Sequence, residues 1–101
     1  WVRQPGGPDL DLLRSLPAHR ITSVQLSDVA ATTELEPEPE AMTARLLPGD
    51  GVVDYPELWE ALDQIDATPV VAAEVMAAEF VAEGESSMTA KVHDACRSVL
   101  P

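Results

Sequence analysis

Gln25 and Glu74 are the two side chains of this sequence best placed to do chemistry. Each sits in a segment that reads as a strand: residues 21–28, Ile-Thr-Ser-Val-Gln-Leu-Ser-Asp, and residues 70–76, Val-Val-Ala-Ala-Glu-Val-Met. Because side chains alternate along a strand, Gln25 shares a face with Ser23 and Ser27, while Val24 and Leu26 share the other. In the second segment Glu74 falls with Val70, Ala72 and Met76, opposite Val71, Ala73 and Val75. A carboxylate among such neighbours is costly to bury unless a cation or hydrogen-bond donors meet it. A Gln amide oxygen is a hard donor, suited to Mg²⁺ or Mn²⁺ beside carboxylates. The pair could therefore be two arms of one metal site. A salt bridge at Glu74 and a polar strand end at Gln25 account for the same residues without a metal, and on residue types alone that account is the simpler one.

The elements that must position this pair alternate. Residues 1–8 read as a loop, punctuated by Pro5, Gly6, Gly7 and Pro8. Residues 9–16 form a short helix with Leu10, Leu13 and Leu16 on one face, closed by Pro17. The first strand follows. Its alternation alone would also suit an antiparallel surface strand. Residues 28–53 read as a long excursion. Within it, Glu34-Leu-Glu-Pro-Glu-Pro-Glu40 has four like charges and two prolines, which argue against a helix interior or a central strand and for a solvated loop. Asp54-Tyr-Pro-Glu57 is a helix start: Asp54 caps, Glu57 follows three residues on, and Pro56 lies in the first turn. Leu58, Ala61, Leu62 and Ile65 continue the helical stripe. Thr68-Pro69 breaks into the second strand, and a last helix over residues 87–100 carries Met88, Val92, Cys96 and Val99 at helical spacing. Strands alternating with helices predict parallel pairing and right-handed crossovers. Two parallel strands leave both outer edges unpaired. Together with an opening at Trp1 rather than Met, this reads as a piece of a larger domain.

Composition narrows the function. The 101 residues carry a net charge of −12 with six Lys and Arg, which argues against nucleic acid or an anionic membrane as partner. No stretch approaches the roughly 18 apolar residues of a membrane helix, and no signal-like segment opens the chain. Cys96 is the only cysteine, so no internal disulfide forms. The expectation is a cytoplasmic protein.

Val24-Gln-Leu-Ser-Asp28, then Arg45-Leu-Leu-Pro-Gly-Asp-Gly-Val-Val-Asp54, then Val70-Val-Ala-Ala-Glu-Val75 resembles the last third of xylose-isomerase-like TIM barrels, the sugar phosphate isomerase/epimerase family. The opening Trp1-Val-Arg-Gln-Pro-Gly-Gly-Pro-Asp looks like the segment after the sixth strand. The resemblance implies an α/β fold: residues 1–101 as the carboxyl-terminal portion of a (β/α)₈ barrel, about two βα units with flanking helices. It further implies a divalent metal held by a Glu and an Asp from earlier strands, by Gln25 where many members have His, and by Glu74. The metal would be Mn²⁺ or Mg²⁺, with Zn²⁺ or Co²⁺ as alternatives. Arg45 resembles the family's substrate-binding arginine. The implied chemistry is proton transfer next to a carbonyl of a keto sugar or polyol-derived substrate, through a metal-stabilised enediolate, with Glu74 as the proton carrier. The Gln25 variant resembles the 3-dehydroshikimate dehydratase branch as well, so isomerase, epimerase and lyase stay open. The first two metal ligands would precede Trp1, so the chain by itself is expected to be inactive. A reading from another class is an acidic interaction module using Glu34–Glu40.

Other residues weigh less. His19 lies at the amino end of the first strand, the stability end of a barrel, and His93 on the solvent face of the last helix. Cys96 reads as core, Asp54 as a helix cap, and Asp28 either as support behind a metal or as a cap on the loop that follows.

Overall fold

In the computed structural model, which describes residues 1–81 and 83–101, two short strands run parallel and side by side. They are β1 (Ser23–Leu26) and β2 (Val70–Ala73), in the register Ser23 with Val70 through Leu26 with Ala73. Ahead of β1 come α1 (Leu10–Ser15) and a single 3₁₀ turn (Ala18–Arg20). Asp9 caps α1 by accepting the Leu12 N–H at 2.9 Å. Between the strands lie α2 (Pro37–Thr43) and α3 (Tyr55–Asp63), and after β2 come α4 (Ala78–Val81) and α5 (Glu85–Val99). Both strands are shorter than the sequence suggests, four residues each. The ladder nevertheless continues past β2, with the Glu74 N–H donating to the Leu26 carbonyl at 2.9 Å.

The core lies on one side of the sheet. Leu26 packs with Tyr55, Leu58 and Leu62 of α3, and around them stand Leu13, Val24, Trp59, Cys96 and Val99. The cap of α3 is as expected, Asp54 accepting the Glu57 N–H at 2.9 Å. Its stripe is buried at Leu58, Ala61 and Leu62 because every third or fourth residue faces β1. Trp59 stacks on Tyr55 and donates its indole N–H to the Val99 carbonyl, fixing the end of α5 against α3. The other side is open among the described residues: Ser23 and Gln25 of β1 are exposed there, as are Ala72 and, at 71%, Val70 of β2, while Val71 and Ala73 on the core side of β2 are exposed too.

One expectation changes. The stretch expected to be a solvated loop at Glu34–Glu40 contains α2, and Glu40 is buried at 4% exposure. The two prolines fall at its first and third positions, where the backbone N–H groups have no intrahelical partner and a missing donor costs nothing. Glutamates there also face the positive end of the helix dipole. Glu40 is held by Arg3, whose Nε donates to Oε2 at 3.0 Å and whose terminal nitrogen donates to Oε1 at 2.5 Å. The same guanidinium donates to the Ala30 carbonyl at 2.6 Å. A further helix, α4, stands where the sequence carried no expectation.

The return of the chain after β1 depends on Asp28, which is fully buried. Its Oδ1 accepts the Val29 and Val53 N–H groups at 2.9 and 3.0 Å, and its Oδ2 accepts the Gly49 N–H at 3.1 Å. Gly51 passes so close that an added Cβ would stand 2.2 Å from the Val29 carbonyl oxygen and 2.3 Å from Asp28 Oδ1. Gly51→Ala is accordingly expected to destabilise the fold by about 1–3 kcal/mol, the usual range for overpacking, read as a lowered midpoint in urea unfolding. The Arg3–Glu40 pair sets a pH dependence. The hydrogen-bonded guanidinium holds the Glu40 carboxyl below its ordinary 4.5 against the opposing effect of burial, and Arg45 adds a smaller attraction. A depressed folded-state value means stability that is complete above pH 4.5 and lost as pH falls through the depressed value. Arg3→Ala should therefore be less stable than the parent at neutral pH, with the gap closing on acidification below 4.5. A gap that does not change with pH would count against the ion pair.

Candidate functional site

Register decides which side chains meet. Gln25 is paired with Ala72, partners in a parallel ladder point to the same side, and Glu74 lies two residues beyond Ala72. Gln25 and Glu74 are therefore diagonal neighbours on the open face, at the carboxyl ends of adjacent strands. Arg45 arrives from the crossover. Its backbone N–H donates to the Met76 carbonyl just past Glu74 at 3.0 Å, and Ala44 beside it forms a bridge with Ala77. Leu46 on its other side exchanges two 2.9 Å hydrogen bonds with Asp28, just past Gln25. The segment 44–46 is thus a crosspiece tied to the exits of both strands, with Arg45 at its centre.

All three side chains line one cavity of about 600 Å³. The cavity also takes in Arg3 and Glu40, so two of the six basic residues of a strongly acidic chain converge there. Neither Gln25 nor Glu74 is used in a hydrogen bond through its side chain among the described residues, and both are exposed rather than buried. The exposure differs from the cost expected for a carboxylate among apolar neighbours: on this open face water solvates Glu74. The Arg45 guanidinium, half-buried, likewise has no hydrogen-bond partner among the described residues. As a donor set, an amide oxygen and a carboxylate with their lone pairs free suit a hard divalent cation, but they amount to two ligands. Among the described residues no three His, Cys, Asp or Glu side chains come together as a metal cluster.

The remaining candidates fall outside the cavity. His19 lies in the 3₁₀ turn before β1, and His93 is exposed on α5 with its Nδ1 3.1 Å from Asp94 Oδ1. Cys96 packs beside the core, and burial pushes its thiol up, which leaves it a poor nucleophile at neutral pH. Asp28, for which support behind a metal and a loop cap both stood open, caps the loop. Tyr55, not singled out by the sequence, donates its hydroxyl to the Ser27 carbonyl at 3.1 Å between Gln25 and Asp28. Burial first, and Asp28 second, push its phenol above the ordinary range, so it stays a neutral donor. Arg3 and Glu40 were missed as lining residues because 37 positions separate them.

No protein-family model matches the chain, and no curated protein sequence does. Its structure is similar to the 1.8 Å crystal structure of the IolI protein with a binding zinc atom, at a TM-score of 0.77 and 19% identity. The superposition takes in 93% of this chain and 32% of that one, so the chain spans about a third of the neighbour's length. IolI is a xylose-isomerase-like TIM-barrel protein. At this identity the likeness establishes the fold alone: the parallel pair β1 and β2 with its helices matches a part of such a barrel.

Proposed function

We propose that this chain supplies the carboxyl-terminal third of a divalent-metal-dependent barrel enzyme, an isomerase or epimerase acting on a keto sugar or polyol-derived compound. The observation that carries the reading is the meeting of Gln25, Arg45 and Glu74 in one cavity at the carboxyl ends of parallel strands. That end of a barrel is where its chemistry is done. The zinc of the IolI structure gives independent support for a metal in this fold. Gln25 and Glu74 would hold the cation, with the remaining ligands supplied by preceding strands. A divalent cation in such a site acts as a Lewis acid on a carbonyl oxygen. Arg45, whose guanidinium makes no hydrogen bond among the described residues, binds and orients oxygens of the substrate and offsets negative charge as it develops. Glu74 stands on the open face, where a carboxylate can take a proton from one carbon and return it to the next. The same groups serve a dehydratase, in which the proton removed next to the carbonyl is followed by loss of a hydroxyl.

The rival reading, an acidic module contacting partners through Glu34–Glu40, is weakened by α2, because Glu40 is turned inward to Arg3.

Mn²⁺ is the probe that separates these readings. Added to the 101-residue chain, it should broaden the NMR signals of the Gln25 side-chain amide and of Glu74 selectively. Gln25→Ala and Glu74→Gln should each weaken that effect by about tenfold or more, the usual cost of degrading a metal site. Broadening centred on Glu34, Glu36 and Glu38 would instead favour the acidic module. The chain alone should not interconvert keto sugars in the presence of Mn²⁺. Turnover by the chain alone would refute the view that half the ligand set comes from elsewhere.

A further inference from the structure

We propose that Asp28 is the positioning residue for Arg45: its main chain holds Leu46 beside the arginine, and its carboxylate secures the far end of the loop that follows, so that the guanidinium is presented to the cavity. The inference rests on reading Arg45 as the substrate-binding group, but it concerns how the chain places that group. Arg45 makes no side-chain hydrogen bond among the described residues, so beyond its attraction to Glu40 the backbone sets where it points. That backbone is held on one side by the Met76 carbonyl and on the other by Leu46, whose N–H and C=O are both engaged by the Asp28 main chain at 2.9 Å. The Asp28 side chain then secures the far end of the same loop through Gly49 and Val53. One residue therefore clamps residue 46 with its main chain and residues 49 and 53 with its side chain. Gly51 lies against that carboxylate without room for a Cβ, so the loop can close over it only in this arrangement.

The chemistry requires an acid at this position. An ionised carboxylate only accepts, and three N–H groups converge on it. Asparagine has the same shape but would turn an amide N–H₂ toward one of those donors. Keeping Oδ1 for Val29 and Val53 places the amide nitrogen against the Gly49 N–H, so the anchor at residue 49 is lost while the other two remain. A single lost hydrogen bond leaves the core formed by Leu26, Tyr55, Leu58 and Leu62 in place.

The test is Asp28→Asn in the 101-residue chain, read by NMR at Arg45. The expected result is a changed Arg45 Nε–Hε resonance with increased side-chain mobility, and amide exchange at Arg45 and Leu46 faster by about tenfold, the order of one charge-assisted hydrogen bond. Asp28→Asn with lowered stability but an unmoved Arg45 resonance would make Asp28 a loop fastener only and overturn the proposal. Should the variant not fold, native-state hydrogen exchange on the parent decides. Arg45, Leu46, Gly49 and Val53 should open together, and persistent protection at Arg45 while Gly49 and Val53 exchange freely would overturn it. None of these readouts uses metal or substrate. Failure of Mn²⁺ to reach Gln25 and Glu74 therefore strikes the functional reading and leaves the link between Asp28 and Arg45 standing, and the converse holds too.

Discussion

The parallel register of β1 and β2 is the constraint on which the rest of the structure depends. Pairing Gln25 with Ala72, and carrying the ladder one step further to Glu74, puts an amide oxygen and a carboxylate on one face of the sheet. A slip of one residue would turn Glu74 to the opposite face of the sheet, away from Gln25, and would turn Leu26 out of the core if it fell on β1. The pattern that keeps Leu26 in the core is thus the same pattern that keeps Gln25 and Glu74 out of it. Stability and site geometry are set by one choice.

Parallel pairing requires a long crossover, and this crossover does more than return the chain. Between β1 and β2 it folds α2, the crosspiece at 44–46, the loop closed by Asp28, and α3. A connection of this length would leave Arg45 free to wander if it were held only at its ends. Two buried carboxylates prevent that by different means. Asp28 is satisfied entirely by backbone N–H groups, and Glu40 by a guanidinium from the amino-terminal segment. Neither is left without a partner, so burying them is tolerable. Each ties a stretch of crossover to a distant part of the chain. Together they make the loop around Arg45 part of the rigid frame.

Local chemistry was readable and distant chemistry was not. Asp9 before Leu10, and Asp54 with Glu57 three residues on, announce their helices because capping involves only neighbours. The βα alternation gave the parallel sheet, and with it the shared face of Gln25 and Glu74. The acidic, proline-bearing stretch misled because its charges and prolines were weighed as if in a helix interior. In α2 both prolines, with Glu38 and Glu40, occupy the first turn, where they are acceptable, and Glu34 and Glu36 precede it. That Glu40 would be buried depends on Arg3, and nothing near either residue signals it. Asp28 was an intermediate case. An Asp just past a strand suits a cap on the following loop or support behind a metal, but the convergence of Val29, Gly49 and Val53 on its carboxylate is a property of the closed loop.

The open face of the sheet and the two-donor site have one physical origin on the proposed reading. Val70 and its neighbours on β2 are apolar yet exposed, and the outer edges of both strands carry unpaired backbone groups. Water that solvates this face also solvates Glu74 and Arg45. Between unit charges at 4 Å the attraction falls from about 4 kcal/mol near a protein surface to about 1 kcal/mol in bulk water. A cation held only by Gln25 and Glu74 on a wet face is therefore bound weakly. Further barrel strands laid against β1 and β2 would do two things at once: pair the free edges, and exclude the water that weakens the site. Completing the sheet and strengthening the metal site are then the same event, and the hydrophobic residues left bare on β2 mark where it would occur.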